Sequence, residues 1–192
     1  MLPFREKVLL SGKMSAKTYF EVADVALIGV FCALWAVLNL TLGPLSFSLL
    51  HLPVLHDFAA FFTLLLVAWV TGKSGTASTV GIIGSAVAIF LGGPTLIVGF
   101  AASAVVFDLL MFASHHRIRS TAHGMLVTVF ATLLSAYCAG VIIGVFFTNN
   151  TFLWAVTFWG GWHLVGGIVA LVVTLPIIIS LERAGVRRFK NE

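Results

Sequence analysis

Six runs of apolar residues, each about as long as a hydrocarbon layer is thick, occupy almost the whole of this 192-residue chain. They lie at approximately 22–42, 48–71, 75–92, 95–114, 122–147 and 153–181, separated by short stretches of Gly, Pro and charge. Lipid offers no partner to a backbone N–H or C=O, so runs of this length must be helical, and the alternating polarity of a barrel strand is missing. Composition agrees: 60% of residues are hydrophobic, 9% are charged, and the mean hydropathy is +1.10. The expected fold is an all-α integral membrane protein with six transmembrane helices. One membrane domain fills 1–192, with tails at 1–21 and 182–192.

Charge sets the orientation. The eleven Lys and Arg are Arg5, Lys7, Lys13, Lys17, Lys73, Arg117, Arg119, Arg183, Arg187, Arg188 and Lys190. Six spans put all of them on one side: both tails, the turn at 72–75 and the segment at 115–123. The opposite connections, near 43–46, 92–94 and 148–151, carry none. The positive-inside bias then predicts cytoplasmic N- and C-termini. The first run exceeds a signal-peptide core and lacks a clear small-residue cleavage pattern, so it reads as a retained helix. The net charge of +4 reflects these topology signals, and no aromatic-interleaved basic face points to nucleic acid.

Cys32 and Cys138 lie in apolar runs without CxxC spacing and read as small buried hydrophobes. HExxH, GxSxG and GxxxxGK[ST] are all absent, which argues against an enzyme and excludes an ATPase made from this chain alone. No cofactor is called for.

Four features stand out against the apolar background. Ala26, Gly29, Ala33 and Ala36 fall at spacings of three and four and form a strip of small side chains, suited to close packing within the bundle or against another membrane protein. The second run opens with His51, Pro53, His56 and Asp57. An intramembrane carboxylate must be paired or hydrated, so Asp57 should face the bundle interior. On a regular helix His51 and His56 would lie about 140° apart. Solute binding, a metal site using His163 as a further ligand, and plain satisfaction of buried backbone are all open to this segment. In the fourth run Asp108 is expected to pair with Arg117, Arg119 or a neighbouring helix, beside a solvated His115-His116. In the sixth, Trp159, Trp162 and His163 alternate with Gly160-Gly161 and Gly166-Gly167, giving either a pocket for a planar ring or tight helix packing.

The layout resembles the substrate-binding S components of energy-coupling factor (ECF) transporters, and the resemblance spans nearly the whole chain. It rests on the basic N-terminal tail, the strip Gly29-xxx-Ala33, His51-Leu52-Pro53 before the second helix, Gly81-Ile82-Ile83-Gly84, the Gly92-Gly93-Pro94 turn and a last helix ending Leu181-Glu182-Arg183. The family strip is usually Ala-xxx-Ala; Gly29 departs from it but stays small. The resemblance implies a plasma-membrane protein that captures a vitamin-like micronutrient from outside. It would deliver that solute with a transmembrane coupling (T) protein and two ATP-binding cassette ATPases. Carried onto this chain, the implied substrate-binding residues are Asn39, His51, His56, Asp57, Ser103, Tyr137, Asn149, Trp159 and His163, and the small strip becomes the partner-docking face. The start Met1-Leu2-Pro3 disfavours the metal-transporting branch, and the Trp and His content suits a heteroaromatic solute. The competing readings are a stand-alone secondary transporter or channel with an ion path through Asp57 and Asp108, and a membrane haem protein or enzyme using His51, His56 and His163.

Overall fold

The computed structural model describes residues 19–116, 118 and 121–186. The basic positions Arg5, Lys7, Lys13, Lys17, Arg117, Arg119, Arg187, Arg188 and Lys190 lie outside the described residues. Every regular element among the described residues is helical: α1 (Val22–Leu50), α2 (Val54–Thr71), α3 (Thr76–Phe90), α4 (Thr95–Ser114, with 3₁₀ turns at both ends), α5 (Ala122–Phe147) and α6 (Phe152–Arg183). Five are long and apolar enough to cross a membrane; α3 is apolar but has only 15 residues.

The helices pack as a closed ring in the order α1, α2, α6, α5, α4, α3 and back to α1, with α2 leaning inward onto α3 and α5. Inside lie Trp35, Phe61, Leu64, Leu65, Phe100, Phe107 and Ile143, all buried. Outside, Val30, Val37, Ile82, Phe90, Phe130 and Val172 are exposed. A surface this apolar has hydrocarbon as its natural solvent, and the chain is a multi-pass membrane protein.

The main departure from the sequence reading is α1. A Gly43-Pro44 pair ordinarily punctuates a chain, and a break was expected at 43–46; instead α1 continues through Pro44 to Leu50. Tertiary contacts override the local signal. Gly43 faces the His56 ring, where a Cβ would stand 3.3 Å away. Ser46 Oγ donates to the Leu52 carbonyl (2.6 Å) and accepts from the Leu55 N–H (2.9 Å). A side chain near the end of α1 thereby serves one orphan donor of α2 and ties the two helices into a tight corner. The turn itself is His51–Pro53, where His51 takes a left-handed conformation (φ 54°) and closes α1 onto the Phe47 carbonyl.

The two ends of the bundle differ. At the end where α1 begins and α6 finishes, Lys73 in the α2–α3 turn reaches Asp24 Oδ2 (2.6 Å) and the Tyr19 carbonyl (3.1 Å), and Asp24 accepts the Glu21 N–H (2.7 Å). Trp69 Nε1 donates to Glu182 Oε1 (2.9 Å), joining the ends of α2 and α6. The opposite, distal end holds the α1–α2, α3–α4 and α5–α6 connections, which contain no Lys, Arg, Asp or Glu.

Candidate functional site

At the distal end five helices converge on a buried polar cluster. In the first turn of α2, His56 and Asp57 both point into the bundle and are almost wholly buried. From α6, one turn beyond a π-helical segment at Ala155–Trp159, His163 Nδ1–H donates to Asp57 Oδ1 at 2.8 Å. Phe100 of α4 lies against both imidazoles, with ring centroids 4.7 Å from His56 and 5.5 Å from His163. The Trp159 indole completes the group at 6.0 Å from His163.

Glycines on three helices let the cluster close this tightly. Besides Gly43 of α1 against His56, Gly140 of α5 sits so near α6 that a Cβ would lie 2.8 Å from His163 Cβ and 2.6 Å from the Trp159 carbonyl. Gly166 of α6 abuts the Asp57 carboxylate. The paired glycines of α6 act mainly in close packing: Gly160 lies on Tyr137 and Gly167 on Ala136, while Gly161 faces open space.

The cluster is not self-satisfied. The Asp57–His163 bond uses one oxygen and one nitrogen, leaving Asp57 Oδ2 and His163 Nε2 buried without a partner. His56 Nε2 and Trp159 Nε1 are in the same condition. Three unmatched groups can accept or exchange a hydrogen bond and one can only donate, a mixed set suited to a small polar ring. Leaving such groups unpaired costs about 1–3 kcal/mol each, and four of them on residues that touch one another make this cluster the candidate site.

Of the nine residues implied to bind substrate, His56, Asp57, Trp159 and His163 are brought together. Asn39 is buried on α1, with Nδ2 donating to the Trp35 carbonyl (2.8 Å) and Oδ1 unpartnered. Ser103 is buried, but its hydroxyl donates to the Phe100 carbonyl within its own helix (2.9 Å). Tyr137 packs on Gly160. His51 and Asn149 are exposed in the distal connections and make no hydrogen bond or ring contact with the cluster. His51 lies exposed in the α1–α2 turn, whereas His56 is buried in α2. Among the described residues no three of His, Cys, Asp and Glu are placed to share a metal ion. Phe100, Gly43 and Gly140 are the participants that sequence reasoning missed; only pairing across helices reveals them.

At the terminal end Asp108 meets a neighbouring helix, one of the partners expected for it, while Arg117 and Arg119 lie outside the described residues. Asp108 bonds His116 Nδ1 (3.1 Å) and accepts the Ser78 N–H at the start of α3 (3.1 Å). His116 is buried, not solvated, whereas His115 is exposed. Of the small strip, Ala26, Gly29 and Ala33 are exposed and Gly29 has open space beside it; Ala36 is turned into the core.

Compared with family models, curated proteins and solved structures, the chain matches none.

Proposed function

We propose that this chain is the solute-binding membrane subunit of an importer of the ECF kind, with six spans, both termini in the cytoplasm and the distal end facing outward at the plasma membrane. The observation that carries the proposal is the grouping, at the end whose connections carry no charge, of His56, Asp57, Trp159 and His163, each with an unpartnered buried polar atom. A heteroaromatic micronutrient would stack on Trp159 or Phe100 and meet the carboxylate and imidazoles with its ring nitrogens and substituents. Because glycines hold the cluster closed, binding would require α6 to loosen from α5, and the π-helical turn supplies a backbone irregularity at the right place. The exposed face at Ala26, Gly29 and Ala33 would receive the coupling protein, whose two ATPases would supply the energy that this chain lacks the motifs to supply.

An ion path through Asp57 and Asp108 finds less support. The two acids lie near opposite ends of the bundle, about 15–20 Å apart along its axis at ~1.5 Å per residue. Buried hydroxyls between them, including Thr63, Thr128 and Thr132, donate to carbonyls of their own helices.

The test is to purify the protein in mild detergent, then release and identify co-purified solutes by mass spectrometry. A stoichiometric heteroaromatic compound, weakened by Trp159→Phe in a protein that still folds, supports the reading. A solute-free protein that conducts ions in liposomes overturns it.

A further inference from the structure

A second polar feature lies at the terminal end, between α3 and α4. A cavity of about 300 Å³ opens there, with Asp108, His116 and Ser78 among its walls and Val105, Leu109 and Phe112 supplying apolar surface. His116 reaches this position because His115 and His116 both adopt left-handed backbone (φ 52° and 55°), turning the chain back beneath α4. Two successive non-glycine residues in that region cost roughly 1–2 kcal/mol each. The bond from His116 Nδ1–H to Asp108 Oδ1 and the His116 N–H bond to the Met111 carbonyl (2.9 Å) offset that strain.

With Nδ1 committed to Asp108, Nε2 is left as an acceptor; it is buried and unpartnered in a residue only 8% exposed. The described lining contains a carboxylate and no Lys or Arg, so the site favours a cation that can donate a hydrogen bond. Leu109 and Phe112 are 69% and 70% exposed, so the mouth opens sideways toward hydrocarbon. Ser74 and Gly75 border the cavity at the start of α3, at the end of the bundle where Lys73 meets Asp24.

We propose that this cleft is a lipid site selective for a primary-ammonium headgroup, with the His116 ring shifting to uncover Nε2 for an ammonium N–H, the charge balanced by Asp108, and the upper acyl chain lying on Leu109 and Phe112. A quaternary ammonium of similar size has no N–H to give and would not satisfy Nε2. The Asp108 carboxylate of α4, already seated on the Ser78 N–H at the start of α3, also repels a headgroup that carries only negative charge.

The experiment is native mass spectrometry of the full-length protein, delipidated in detergent and titrated with dioleoyl-phosphatidylethanolamine or dioleoyl-phosphatidylcholine. The expected result is a single bound ethanolamine lipid, held about tenfold more tightly than the choline lipid. That preference should vanish in Asp108→Asn and in His116→Asn, where Asn tolerates the left-handed backbone. Leu109→Trp, at an exposed position where folding is not at stake, should block the mouth and abolish it too. Equal retention of both lipids would overturn the proposal, as would an ethanolamine preference that survives in His116→Asn and Leu109→Trp. A lysine of a co-purified protein cross-linked to Asp108 would overturn it in favour of a protein partner.

Discussion

Asp57 and His163 stand 106 positions apart in the chain and share a 2.8 Å hydrogen bond in the interior, with neither side chain reachable by solvent. The bond fastens the first turn of α2 to the distal half of α6, and these two helices form one of the bundle's largest contacts.

Removing one member should leave its partner buried and uncompensated. His163→Ala is expected to lower stability by about 3–5 kcal/mol, and Asp57→Asn paired with His163→Gln by less than the sum of the two single changes. Unfolding in mixed detergent micelles measures both; strict additivity with small single effects would show that the pair is not coupled.

Two glycine replacements should behave oppositely. Gly140→Ala forces a Cβ onto His163 and the Trp159 carbonyl and should cost about 1–3 kcal/mol while displacing the cluster. Gly29→Ala meets nothing within 4 Å and should be neutral or raise stability by about 0.5–1 kcal/mol through its helix preference. Thermal unfolding of the two variants side by side gives the comparison.

Ser46→Ala deletes an acceptor for the Leu55 N–H and a donor to the Leu52 carbonyl. A loss of about 1–2 kcal/mol is expected. Hydrogen exchange should quicken at Leu55 and through the α1–α2 corner while α5 stays protected; unchanged exchange at Leu55 would show that the hydroxyl does not hold the corner.

On the proposed function, Ala33→Trp places a large ring on the exposed strip without touching the core. Pull-down of the coupling protein should be lost while solute binding and thermal stability persist. Retained complex formation would move the docking face elsewhere.

Helix placement was largely legible because long apolar runs in a membrane have almost no alternative to helix: the limits of α5 and the extent of α4 follow from where apolarity stops. The end of α1 was not legible. Gly43-Pro44 carries a strong local breaker signal, and what overrides it, the His56 ring and the Ser46 bridge, comes from residues on both sides of the turn. Likewise, His115-His116 beside two arginines resembles a wet loop, and only the return of the backbone under α4 buries His116 against Asp108.

The sequence by itself determined that the chain is helical, apolar on its outside and unequally charged at its two ends, and that Asp57 had to face inward, since each of these follows from the cost of placing polar groups in hydrocarbon. The tertiary structure decided which inward-facing groups meet. Helical periodicity assigns a side chain to a face, but choosing His163 rather than His51 as a companion to the α2 polar pair depends on which helices neighbour one another in the ring. That order rests on how helix surfaces fit, as at Gly43, Gly140 and Gly166, and packing is a property of pairs of surfaces that no single run of residues contains.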